Sequence, residues 1–224
     1  MLHWVTYGLR GLRNKALAAM LMLAATTVSA DKVHILALGD SLTQGYGLFD
    51  NEGFVPQLTD WLTARGHDVR IVNGGVSGDT TAGGLARVEW SLTPEIQAMI
   101  VALGGNDLLR GIDPALSRAN VEGILKVAEQ KELDVLLIGM TAPGNYGPDY
   151  KRDFDAMYPE LANAYGSLYL QSFFAGIMQD GDRPADMGAY MQSDGIHPNA
   201  LGVARIVDVI GPQVEALISR VHVD

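Results

Sequence analysis

Cysteine is absent from the 224 residues, so disulfides, thiolate metal sites and a cysteine nucleophile are excluded. Basic side chains are scarce, with 16 Lys+Arg against 26 Asp+Glu. That balance repels nucleic acid and anionic membrane, and favours neutral, zwitterionic or cationic ligands. No internal repeat or low-complexity tract interrupts the chain. No apolar run reaches the roughly 20 residues of a membrane-spanning helix. What remains is a length suited to one domain with a sizeable core.

The first thirty residues read differently from the rest. Arg10, Arg13 and Lys15 form a basic region ahead of the apolar stretch Ala16 to Ala25, and Val28-Ser29-Ala30 supplies small residues behind it. This is the pattern of a secretory signal peptide cleaved after Ala30, with an uncleaved N-terminal anchor as the alternative. Residues 31–224 are then the folded domain, expected in the periplasm or secreted, with no membrane span left after cleavage. Loss of the leader removes three basic residues and no acid, which leaves 13 Lys+Arg against 26 Asp+Glu and a formal charge of −13.

Beyond the leader, strand-like apolar runs alternate with amphipathic stretches. Strands are expected at Lys32–Gly39, Asp68–Val72, Met99–Gly104 and Val135–Met140, with a weaker one at Ser167–Ser172. A helix is expected around Gly53–Arg65, where Phe54, Val55, Leu58, Trp61 and Leu62 share one face at 3.6-residue spacing. Asp113 and Pro114 have the types of an N-cap and a first helical residue, and that helix runs to about Lys131. A last helix spans about Asn199 to Arg220. Apolar strands separated by helices imply a doubly wound α/β domain whose parallel sheet is covered on both faces. Ligands bind such sheets beyond the carboxyl ends of the strands, near the switch in strand order.

The loops after the strands carry the chemistry. The first is Gly39-Asp40-Ser41-Leu42. Ser41 there is a candidate nucleophile, or else a helix-capping serine. Asp40 as a phosphoacceptor or metal ligand lacks the preceding acidic pair and the lysine after the fifth strand that this use needs. The second loop, Asn73 to Thr80, holds Gly74, Gly75 and Gly78, which let backbone approach a ligand; the alternative is a plain set of tight turns. No Gly-Lys-Ser/Thr follows, so it is not a phosphate loop. The third, Gly104-Gly105-Asn106-Asp107, can aim the Asn106 amide into the same cleft or cap the next turn with it. Near the C-terminus, Asp194 and His197 sit three residues apart in a Gly/Pro-framed loop. A serine hydroxyl needs a base to take its proton, and the base works best when a carboxylate fixes its tautomer. A surface histidine is the bland alternative for His197. His34, His67 and His222 have no comparable carboxylate at close range within a Gly/Pro-framed loop.

GDSLTQGYG, NGGVSGDTTAGGLAR, VALGGNDLLRG and DGIHPNALG stand in one order across nearly the whole mature chain. Together they resemble the SGNH (GDSL-type) hydrolase superfamily, in its bacterial periplasmic thioesterase, lysophospholipase and arylesterase branch. Pro143-Gly144-Asn145-Tyr146-Gly147 resembles the loop over the acyl site in that branch. The resemblance implies a three-layer, mainly parallel five-stranded sheet of flavodoxin-like order. It implies Ser41 as nucleophile, His197 as base and then acid, and Asp194 as its orienting partner. It also implies an oxyanion hole made by the Ser41 and Gly78 amides and the Asn106 side chain, with no metal or cofactor. A Gly-x-Ser-x-Gly elbow is missing around Ser41, unlike an α/β-hydrolase.

The expected activity is therefore hydrolysis of carboxylic esters: aryl and alkyl esters, lysophospholipids and, incidentally, thioesters. A sugar O-acetyl esterase and a non-catalytic acyl- or glycan-binding module are the alternatives. Asn145 and Tyr146 are candidate substrate contacts. Met157, Tyr158, Met187 and Met191 are further candidates for the cavity, with ordinary packing as the competing use. The chain is expected to act as a monomer.

Overall fold

A computed structural model describes residues 32–179, 183–184 and 187–221. The expected leader, residues 1–30, lies outside the described residues. Strand β1 (Val33–Gly39) is buried over nearly its whole length, as its uninterrupted apolar sequence requires of a strand covered on both faces. It pairs in parallel with β2 (Val69–Gly75) on one side and β3 (Ala98–Ala102) on the other. Strands β4 (Asp134–Ile138) and β5 (Leu168–Leu170) extend the sheet beyond β3, also in parallel. The order β2-β1-β3-β4-β5 reverses direction between β1 and β3. That is where the ends of neighbouring strands diverge and leave a crevice.

Helices cover both faces. On one, α2 (Phe54–Thr63) packs against the C-terminal helix α8 (Ala200–Ile218). The expected apolar face of α2 is buried at Phe54, Val55, Leu58 and Leu62. Trp61 is only partly covered and lies over Gly211 of α8, where a Cβ would come within 2.7 Å of the indole ring. Helix α8 buries Val203, Ile206, Val207, Ile210, Val214 and Leu217, the stripe of a sheet-covering helix. On the other face, α3 (Thr81–Ser91) packs against α5 (Pro114–Gln130), and α5 against α6 (Pro148–Ala164). Asp113 caps α5 by accepting from the Ala115 amide at 2.9 Å, with Pro114 in the first turn. Each fully buried leucine or isoleucine in these layers contributes about 1.5–3 kcal/mol. Among the described residues there are also short helices α1 (Ser41–Gln44), α4 (Gly105–Arg110) and α7 (Met187–Tyr190), a 3-10 turn at Gly144–Tyr146, and an antiparallel pair of β6 (Met178–Gln179) and β7 (Arg183–Pro184).

Three elements depart from expectation. Strand β2 runs on through Asn73, Gly74 and Gly75, which pair with Ala37, Leu38 and Gly39. Backbone pairing with a central strand outweighs the weak strand preference of Asn and Gly. Helix α3 forms despite Gly83 and Gly84, each worth about 1 kcal/mol against a helix. Gly84 is there for space, because a Cβ would lie 2.2 Å from the Leu103 side chain. Helix α6 occupies a stretch not read as helical, whose prolines look like breakers. Pro148 sits in its first turn, where the missing N–H is no loss. Pro159 is interior, and the helix is held by burial of Phe154, Met157, Tyr158, Leu161 and Ala162.

The last residue of β1 sets how close the Ser41 turn lies to the sheet. A Cβ on Gly39 would meet the Thr43 hydroxyl at 2.0 Å and the Ala102 carbonyl oxygen at 2.9 Å. Rotation can move the Thr43 hydroxyl but not its Cβ, 2.6 Å away, and the β3 backbone cannot yield either. Gly39→Ala should therefore destabilise the fold by about 1–3 kcal/mol, read as a lower urea midpoint with an unchanged m-value. An unchanged midpoint would contradict this packing argument.

Candidate active site

Ser41 is the first residue of α1, directly past the end of β1, and it is not the cap of that helix. Asp40 is. Its Oδ1 accepts from the Leu42 amide at 3.0 Å, while its backbone carbonyl accepts from the Gln44 amide. The Ser41 carbonyl accepts from both the Gly45 and Tyr46 amides. This one-turn helix, closed by Gly45 in the left-handed region, holds Ser41 in place with its side chain still reaching the cleft.

The Asp194–His197 loop meets Ser41 from the far end of the chain. His197 Nδ1 lies 2.7 Å from Asp194 Oδ2, and His197 Nε2 lies 2.9 Å from Ser41 Oγ. An ionised carboxylate can only accept, so Nδ1 carries the proton and Nε2 is left to accept from the serine hydroxyl. Asp194 divides its oxygens. Oδ1 accepts from the Ile196 and His197 amides at 2.9 and 3.0 Å, which folds the loop around the carboxylate. The His197 ring bond and these amides hold the Asp194 carboxyl down at about 2. It is therefore ionised wherever the protein works, and its contribution to stability is lost only as pH falls towards that value.

Asn106 lies in α4, after β3. That helix begins from Gly104 at φ +117°, a conformation that glycine alone adopts freely. A Cβ there would also strike the Tyr158 hydroxyl, which donates to the Leu103 carbonyl at 2.9 Å. Asn106 Nδ2 donates to Asp40 Oδ2 at 3.2 Å. The next residue, Asp107, is fully buried and accepts from the Thr81 amide, the Thr81 hydroxyl and the Ser117 hydroxyl. It ties α4 to α3 and α5 and so fixes the direction from which Asn106 enters.

Gly78 is in the turn after β2, at φ +79°. It is not among the residues lining the cavity described below. Two arginines hold its surroundings. Arg110 Nη2 donates to the Gly78 carbonyl at 2.7 Å, from the end of the helix that carries Asn106. Arg87 places its guanidinium on Asp79, the Gly74 carbonyl and the Gly39 carbonyl at 2.7, 2.7 and 2.8 Å. It thus joins the ends of β1 and β2 to the Gly78 turn. Both arginines lie within the motif segments quoted above, but the sequence reading gave neither a role.

Ser41, Asn106 and His197 open onto one cavity of about 400 Å³. Its wall includes Leu108, Leu109, Met140, Phe174, Met178 and Ile196. Asn145 and Tyr146 are on its wall. Met157 and Tyr158 do not; they are buried in the core on α6. Met191 is also absent from the wall, and it pairs by a backbone bridge with Pro198. The Met187 side chain lies outside what is described. Phe174 and Met178 were not anticipated, because they sit past a short strand where spacing carries no signal.

Asp40 is almost completely buried beside these groups. Burial pushes its carboxyl up to about 6, against the pull of the Leu42 and Asn106 hydrogen bonds and of the His197 charge. The folded protein thus binds a proton that the unfolded chain, near 3.8, gives up earlier. The cost of burying the carboxylate is absent at low pH and complete above about 6. Asp40→Asn keeps the shape and removes the charge. Its stability relative to wild type should rise between pH 4 and pH 8 by about 2 kcal/mol, measured by urea unfolding of both proteins. A pH-independent difference would contradict the burial argument.

Comparison with known proteins places this geometry. The GDSL-like lipase/acylhydrolase family pattern matches residues 37–205, which include Ser41, Asn106, Asp194 and His197. The chain is 35% identical over 208 residues to the esterase TesA of Pseudomonas aeruginosa, covering 92% of this chain and all of that protein. It is 33% identical to the thioesterase 1/protease 1/lysophospholipase L1 of Escherichia coli, covering 83% of this chain and 85% of that one. The crystal structure of AlinE4, an SGNH-hydrolase family esterase, superposes with a TM-score of 0.68 at 41% identity, covering 83% of this chain and 96% of that one. With the pattern spanning most of the folded residues, the chain belongs to the GDSL-like lipase/acylhydrolase family.

Proposed function

We propose that this chain is a serine ester hydrolase that transfers the acyl group of a carboxylic ester to Ser41 and then to water. The observation that carries the reading is the relay from Asp194 through His197 to Ser41, opening directly into an apolar cavity. His197 Nε2 takes the hydroxyl proton while Oγ attacks the ester carbonyl. The positive imidazolium that results sits on the Asp194 carboxylate. The C–O bond of the tetrahedral adduct then breaks, and the alcohol leaves with the proton from His197. Water attacks the acyl-enzyme by the same route, returning its proton through His197 and freeing the acid and Ser41.

The oxyanion is assigned to the Ser41 and Gly78 amides and Asn106 Nδ2. An asparagine amide has two N–H groups. One is used on Asp40, which orients the nitrogen towards the site and leaves the second free to donate. The substrates proposed are aryl and alkyl esters and lysophospholipids, whose acyl part suits a wall of Leu108, Leu109, Met140 and Phe174 better than a sugar would. Asn145 and Tyr146 are proposed to bound the acyl group. We place the enzyme outside the cytoplasm, on the leader pattern of residues 10–30, and as a monomer. Among the described residues, no helix is long and apolar enough to cross a membrane.

Ser41→Ala should abolish hydrolysis of p-nitrophenyl butyrate while circular dichroism stays native. Asn106→Ala should lower kcat by about 10²–10³-fold, the usual value of one oxyanion donor. Retained turnover in the serine variant would overturn the assignment. An unchanged kcat in the asparagine variant would remove Asn106 from the oxyanion hole.

A further inference from the structure

Gln192 is two residues before Asp194 and touches neither the cavity nor the Ser41 side chain, yet its backbone closes the loop that bears Asp194 and His197 and its side-chain amide ties that loop to the Ser41 turn. Its amide donates to the His197 carbonyl at 2.8 Å, and its carbonyl accepts from the Gly195 amide at 3.0 Å, which closes the loop that bears Asp194 and His197. Its side-chain Nε2 donates to the Pro198 carbonyl at 3.0 Å and to the Tyr46 carbonyl at 2.8 Å. Tyr46 in turn donates its amide to the Ser41 carbonyl at 3.1 Å. The Tyr46 ring stands 4.7 Å from the His197 ring. Gly47 leaves the space that Gln192 fills, since a Cβ there would lie 2.3 Å from Gln192 Oε1.

We propose that Gln192 is a positioning residue which, through the Tyr46 backbone, sets the distance between His197 and Ser41. The inference rests on the ester-hydrolase reading above. Its logic is geometric. Ser41 and His197 come from opposite ends of the chain, and their own hydrogen bond is broken in every turnover when the proton moves. Something that does not react must keep the two loops in register through that step. The doubly donating amide of Gln192, with one N–H on each loop, is that link. It is half-buried, so a change there leaves the hydrophobic core intact. A glutamate in its place would set a carboxylate against two carbonyl oxygens, and a methionine would keep the volume without the donors.

The test compares wild type, Gln192→Met and Gln192→Glu, with each preparation normalised by active-site titration. The measurements are kcat and KM on p-nitrophenyl butyrate, the rate constant for inactivation by a fluorophosphonate, and the thermal midpoint. Both variants should lose about 10- to 100-fold in kcat and in inactivation rate, the scale of a misplaced catalytic pair. KM should stay within about twofold in the same comparison, because the acyl wall is untouched. A folded variant that keeps the wild-type kcat and inactivation rate overturns the proposal. So does a loss that disappears once the active fraction is counted, which would mark a structural role only. If Gln192→Met does not fold, Gln192→Glu carries the same two outcomes. Failure of the underlying reading looks different: the wild-type protein itself would not be inactivated by the fluorophosphonate.

Discussion

The contact between His197 Nε2 and Ser41 Oγ, 2.9 Å long and closing a span of 156 residues, is the constraint on which the rest of the site depends. A serine hydroxyl and an imidazole attract each other only weakly. Their meeting is therefore imposed by the frame around them. The parallel sheet brings the end of β1 to the crevice where strand order reverses. Helix α8, packed along the sheet, brings the loop before it to the same edge. Asn199 caps α8 by accepting from the Gly202 amide at 3.0 Å and ties back to the Ala189 carbonyl, which fixes where that loop ends.

Around the contact, carboxylates do most of the holding, and each is placed in a different electrostatic setting. Asp194 stays ionised because the imidazole and two amides surround it. Asp107, fully buried, is used up on the hydroxyls of Thr81 and Ser117 and one amide, and so acts as a peg between helices. Asp40 is buried with fewer donors than either, and burial raises its carboxyl. The negative surface charge of the chain is thus a poor guide to its site. Asp40 and Asp107 are buried, Asp194 is exposed but fully hydrogen-bonded, and Arg87 and Arg110 act on the backbone carbonyls of Gly39, Gly74 and Gly78.

Much of this was legible in the chain itself, for physical reasons. Strands β1, β3 and β4 are apolar on both faces, which only a covered sheet satisfies. Ser41, Asn106, Asp194 and His197 each follow a strand or precede a capped helix, so their convergence on one edge follows from the topology. What was not legible depended on tertiary space. Asn73-Gly74-Gly75 looks like a loop until its partner Ala37–Gly39 is known. Gly83-Gly84 and Pro159 argue against helices that burial nevertheless enforces. Met157 and Tyr158 have the composition of a cavity wall, yet the turn of α6 faces them into the core, while Phe174 and Met178 reach the cavity from an irregular segment. Gln192 gives no sequence signal at all, because its role consists of hydrogen bonds to carbonyls far along the chain.

The claim that chemistry passes through a covalent acyl-Ser41 species is tested most directly by trapping it. The protein is mixed with a p-nitrophenyl ester, quenched in acid within the first turnover, digested and mapped by mass spectrometry. The account predicts that the peptide bearing Ser41 gains the mass of the acyl group, stoichiometric with the burst of p-nitrophenol. A full burst with the acyl group on another residue would contradict it.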